Sequence, residues 1–215
     1  MLRRKGVINK KAIKNLSVRT KITSLLCLIL FFTGSLFSSD FEKRYKLKSQ
    51  IDKKNGIIWY KHKNNTGTNS RVYLYFGKKQ GEDQFFIRMV IAYYAPSRLI
   101  VEEYRFTIDD EEHVVKPRAT VRTKDLRTSR TSMNQEFDES AGICEIYDVA
   151  INKEEFELME KLSQANTVKL RYNGVKGYKR VKIHTSSKKA IKDVLNAFKE
   201  LIGVSNPNKD MSHIY

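Results

Sequence analysis

The chain has 215 residues, with 41 Lys and Arg against 24 Asp and Glu and a formal net charge of +17. Eight of the cations lie at or before Lys21; the part of the chain beyond the N-terminal segment has about 175 residues with 33 cations against 24 acids, room for one core and one domain. Cys27 and Cys144 are the only cysteines, and Cys27 sits in an apolar N-terminal run, so an internal disulfide is excluded once that run is removed.

No acid precedes Asp40, and the basic stretch passes into an apolar run, Ile22 to Phe37, closed by Ser38-Ser39. This order predicts an export signal: a basic end on the anionic cytoplasmic leaflet, an apolar centre in the bilayer, and small residues at the cut. The run is 16 residues, short of the roughly 20 a spanning helix needs, which favours cleavage over retention as an anchor. The long basic region and the poor small-x-small match at Leu36 to Ser39 keep the anchor as the alternative. Either way the remainder is expected outside the cytoplasm, periplasmic or secreted, or tethered by a single pass. Lipidation does not fit, because Cys27 lies inside the apolar run. The expected organisation is residues 1–39 as signal or anchor, 40–55 as linker, 56–204 as one domain and 205–215 as a flexible tail.

Ile57 to His62 opens a strand-rich half. Arg71 to Gly77 alternates Val72, Leu74 and Phe76 with Tyr73 and Tyr75, the period of a strand with one face on a core. After a loop at Gly77 to Asp83, Gln84 to Ala95 is apolar on both faces apart from Arg88, which predicts a central strand. Ala95 to Arg98 turns the chain into Ile100 to Ile108, expected to form a long antiparallel pair with the strand before it. Asp109 to Glu112 reads as a turn, with short strands near His113 to Lys116 and Thr120 to Thr123, a long loop over Lys124 to Ala141, and a strand at Gly142 to Ala150.

The pattern then becomes helical. Asn152 and Glu155 form a capping-box pair, with Ile151 and Phe156 as a hydrophobic staple, and predict a helix from Lys153. Val168, Leu170 and Tyr172 belong to a strand that turns through Asn173 to Gly177 into Tyr178 to His184. Ser186 is expected to cap a last helix with Ala190, Ile191, Val194, Leu195 and Phe198 on one face. Strands first and a helix-hairpin-helix block last predict an α+β fold, a mainly antiparallel sheet or sandwich with two helices in the C-terminal third. The absence of alternating βαβ order and of a Gly-rich phosphate loop argues against a doubly wound nucleotide fold.

No cofactor or metal is expected. Asp109 to His113 concentrates oxygen donors, but neighbouring strand residues point to opposite faces and calcium-loop spacing is missing. His62, His113, His184 and His213 are scattered without zinc spacing, and Cys144 lies in a strand pattern that predicts burial. Two candidate surfaces remain. The first is the most basic stretch, Arg118, Arg122, Lys124, Arg127 and Arg130 against Asp125 alone, suited to phosphate or sulfate groups. The second is the tyrosine set Tyr73, Tyr75, Tyr93 and Tyr94. These features predict an exported bacterial envelope protein that acts as a non-catalytic binding module. The expected partner is an envelope protein or an anionic lipid or glycan surface rather than nucleic acid, with membrane contact if the N-terminal segment is uncut. An enzyme acting on envelope material and a purely structural anchored protein are the alternatives.

Overall fold

The alternating apolar residues of the strand-rich half are buried as their period predicts: Val72, Leu74 and Phe76 on one strand and Ile87, Met89, Ile91 and Tyr93 on its neighbour. In the computed structural model, which describes residues 40–65, 71–81, 85–126 and 142–203, these strands sit near the middle of a six-stranded antiparallel sheet. The chain divides into two units, Met1–Lys43 and Arg44–Tyr215, and the second carries this fold.

Among the described residues ten strands form two antiparallel sheets: β1 (Leu47–Asp52), β2 (Ile57–His62), β3 (Arg71–Lys79), β4 (Phe85–Ala95), β5 (Val101–Ile108), β6 (Glu111–Val115), β7 (Arg122–Asp125), β8 (Ile143–Ala150), β9 (Val168–Gly174) and β10 (Gly177–Lys182). The larger sheet runs β1-β2-β3-β4-β8-β7 and the smaller β10-β9-β5-β6. Two helices, α1 (Lys153–Gln164) and α2 (Thr185–Leu201), lie in the C-terminal part, so the fold is α+β and mostly β.

One face of the larger sheet forms the core. The smaller sheet covers it around β4 and β8, where Tyr93 meets Tyr172 at 5.5 Å and Tyr104 stacks on Tyr147 at 5.6 Å. Tyr172, fully buried, gives its hydroxyl proton to the carbonyl of Ala92. Helix α2 covers the β3 end, with Phe198 5.9 Å from Phe76, and α1 packs on α2 through Phe156. The capping box forms as its spacing predicts: Asn152 Oδ1 accepts the N–H of Glu155 and Glu155 accepts the N–H of Asn152.

Several boundaries differ from those the sequence predicts. Leu47–Asp52, expected within a linker, is a strand paired along β2, because an edge strand needs only Leu47 inside and leaves its other residues exposed or half-exposed. Strands β4 and β5 do not pair. The turn after Ala95 carries the chain from one sheet to the other, and β5 lies between β6 and β9. Glu111 and Glu112 belong to β6, leaving a two-residue turn in which Asp109 and Asp110 both have positive φ, 43° and 74°. Helix α2 starts at Thr185 with His184 at the cap position and no side-chain cap, rather than from Ser186. The predicted export segment, the stretch 127–141 and the C-terminal tail from 204 lie outside the described residues. Among those described, no helix is long and apolar enough to cross a membrane.

Candidate functional site, the outer face of the six-stranded sheet

Side-chain alternation sends Trp59 and Lys61 of β2, Tyr73 and Tyr75 of β3, Phe86, Arg88 and Tyr94 of β4, and Cys144, Ile146 and Asp148 of β8 to the face opposite the core. There Tyr75, Val90 and Ala92 form a second apolar cluster against Trp59, Tyr73, Tyr94 and Ile146. Trp59 lies 5.1 Å from Tyr75 and edge-on to Phe86 at 5.2 Å, and Tyr73 lies 6.5 Å from Tyr75. Gly77 makes this closeness possible, because a Cβ there would fall 2.6 Å from the Phe86 ring.

Cations are set among the rings. Lys61 sits 5.2 Å over Tyr75, and Arg71 lies over both Tyr73 and Tyr94 at 5.1 and 5.9 Å. By register the face carries Lys48, Lys61, Arg71, Lys79, Arg88, Arg122 and Lys124 against Asp52 and Asp148. Both acids are engaged. Asp52 accepts from Lys54 and Asn55 in the β1–β2 turn, and Asp148 takes Arg88 at 2.8 Å, Arg122 at 3.3 Å and the Tyr75 hydroxyl at 3.0 Å. Among the described residues the face is therefore net positive, with Arg122 and Lys124 exposed.

Burial and the Asp148 carboxylate push the Tyr75 phenol well above its usual range, and burial, with Cys144 adding to it, pushes Tyr94 up to about 12. Both hydroxyls stay protonated at neutral pH, which suits donors and not nucleophiles. Burial likewise raises the Cys144 thiol.

The predicted site residues are divided by the fold. Arg118 leaves the group: it pairs with Glu155 at 2.8 Å and donates to the carbonyl of Ala150, so it braces the start of α1. Arg122 and Lys124 join the aromatic face, and Arg127 and Arg130 lie outside the described residues. Of the tyrosines, Tyr73, Tyr75 and Tyr94 share the face, while Tyr93 points to the core. The two candidate surfaces thus meet in one. Trp59, Lys61, Arg71, Phe86 and Arg88 were not singled out from sequence. Each strand's alternation places them on a face, but only pairing puts those faces side by side.

The other candidates resolve into structural roles. Asp109 accepts the N–H groups of Asn166 and Thr167, which hold its carboxyl below the usual range, and Glu112 pairs with Arg105. Among the described residues no group of three or more His, Cys, Asp or Glu is arranged to hold a metal ion. His62 is buried against Asp193, and His113 lies 3.4 Å from Glu111. No protein family, curated protein or solved structure matches the chain.

Proposed function

We propose that this protein is an exported, non-catalytic binding module of the cell envelope whose aromatic and basic sheet face engages an acidic glycan. The supporting observation is the alternation of half-exposed rings with cations on one sheet face whose only acids, among the described residues, are already paired. Sugar rings present apolar C–H faces that pack on Trp59, Tyr73 and Phe86, while carboxylate, phosphate or sulfate substituents meet Lys61, Arg71 and Arg122. The export address rests on the basic and apolar order of residues 1–37.

The binding reading is tested on heparin as the probe, with uncharged dextran as the control. The full chain is expected to be retained on heparin and released by salt. Combined replacement Lys61→Ala, Arg122→Ala and Lys124→Ala should lower the eluting salt concentration, while Arg118→Ala leaves it unchanged. Retention that ignores the triple replacement would overturn the assignment to this face. The address is tested by the intact mass of the protein recovered from fractionated cells: a species starting near Asp40 in the exported fraction supports cleavage.

A further inference from the structure

The β9–β10 hairpin belongs to the other sheet and has no part in the aromatic face. From Val168 to Lys182 it carries Lys169, Arg171, Lys176, Lys179, Arg180 and Lys182 and not one acid. Its pairing sets like charges opposite each other twice, Arg171 against Arg180 and Lys169 against Lys182, an arrangement that costs stability in a hairpin. Both arginines pack on Tyr178, at 4.2 and 5.2 Å from its ring, and Arg171 Nε is buried there without a hydrogen-bond partner among the described residues.

The tip is apolar and exposed. Val175 is 63% exposed, Tyr178 59%, and the neighbouring Ile100 41%. Val175 and Ile100 come together because the N–H of Val175 donates to the carbonyl of Ile100 and that of Lys176 to Leu99, both at 3.2 Å, while Tyr178 stands on the same hairpin opposite Asn173. The contact is close: a Cβ on Gly174 would lie 2.5 Å from the carbonyl oxygens of Leu99 and Ile100. Ile100 itself has φ 59°, a left-handed conformation that a β-branched residue rarely adopts. The left-handed backbone serves the crossover between the sheets, but a β-branched aliphatic side chain held there in water adds nothing to the core, where glycine or asparagine would make the same turn without exposing apolar surface.

An apolar tip on a hairpin that carries only cations, with neighbouring Glu103 already held by Arg105 and Asn173, matches the boundary of an anionic bilayer. Aliphatic side chains enter the acyl region, a tyrosine sits at headgroup depth, and Lys and Arg reach lipid phosphates. We propose that the β9–β10 hairpin, with Ile100, docks the protein onto anionic phospholipid membranes, inserting Val175 and Ile100.

The test uses the full chain carrying Tyr178→Trp as a reporter, mixed with phosphatidylcholine vesicles with or without phosphatidylglycerol. With the anionic vesicles the added emission is expected to shift blue and to be quenched by lipids brominated near the headgroup; with neutral vesicles it should not change. Lys176→Ala and Lys179→Ala should each weaken the response about fivefold. Val175→Ser with Ile100→Gly, the latter free of left-handed strain, should weaken it more than about tenfold while the far-ultraviolet circular dichroism is kept. An unquenched reporter on anionic vesicles overturns the proposal, as binding through residues 1–39 alone would leave it. So does quenching that ignores the tip replacements, or a response given by heparin and not by vesicles. The heparin test of the sheet face uses other residues, so either proposal can fail alone.

Discussion

Glu145 accepts the backbone N–H of Ile100 at 2.9 Å while Ile100 is held at φ 59°, so a buried carboxylate on β8 fixes the strained point where the chain crosses between sheets. The same carboxylate takes the N–H groups of Leu99 at 2.8 Å and Val101 at 2.9 Å. Replacement by alanine orphans three backbone donors, two of them in buried bonds. Glu145→Ala is expected to cost about 3 kcal/mol or more, and Glu145→Gln a large part of that, since an amide offers one acceptor and sets its own N–H against a donor. Urea unfolding monitored at Trp59 measures both; a loss below about 1 kcal/mol would show that water replaces the carboxylate.

On the far side of the same crossover, Gly174 lies under the carbonyls of Leu99 and Ile100. Those are backbone atoms, which yield less than the end of a side chain. Gly174→Ala should therefore destabilise by about 2 kcal/mol and lift the hairpin tip from residue 100, with faster amide exchange at Val175 and Lys176. Unchanged exchange at those two amides would contradict the contact.

His62 gives a pH dependence whose sign can be worked out. Its Nδ1 accepts the N–H of Asn64, and Nε2 lies 3.4 Å from Asp193 Oδ2. Burial lowers its pKa below the ordinary 6.5; Asp193 opposes this shift, and Lys46 and Lys189 add to it. As pH falls past that value the unfolded chain takes up the proton first. The stability due to neutral His62 is therefore whole above pH 6.5 and declines as pH drops toward the folded pKa. Urea midpoints of the wild type and of His62→Gln should converge on acidification; a gap that widens would reverse the sign.

Asp148 holds the sheet face together while lowering its net charge. With Asp148→Asn, Arg88 and Arg122 lose a shared carboxylate while the face gains a positive charge. Stability is expected to fall by about 1–2 kcal/mol and the salt needed for elution from heparin to rise. A variant that loses stability and also elutes earlier would mean that the rings must be held in place by Asp148 for binding to occur.

Cys144 is 1% exposed, and burial raises its thiol pKa. Iodoacetamide should modify the native chain more than about tenfold more slowly than the denatured chain. Equal rates would show that the outer face opens at β8.

Much of the secondary structure was legible because it is local. The period-2 runs of β3, β4 and β9, the Asn152–Glu155 box and the apolar stripe of α2 depend on residues within a few positions of one another. The basic and apolar order before Asp40 is local too, and it carries the export expectation without any fold. What alternation cannot state is which strand lies next to which. It sorted Tyr73 and Tyr75 from Val72 and Leu74, but only the pairing of β4 with β8 and of β8 with β7 set Arg122 beside Asp148 and the tyrosines. Arg118, four residues before Arg122, was drawn instead to Glu155 at the start of α1. Edge strand β1 was illegible because one buried leucine makes no pattern, and the crossover at Ile100 because the carboxylate that fixes it lies 45 residues away. Local periodicity chose the elements and their faces; long-range pairing, which depends on contacts between distant parts of the chain, decided which faces became surfaces.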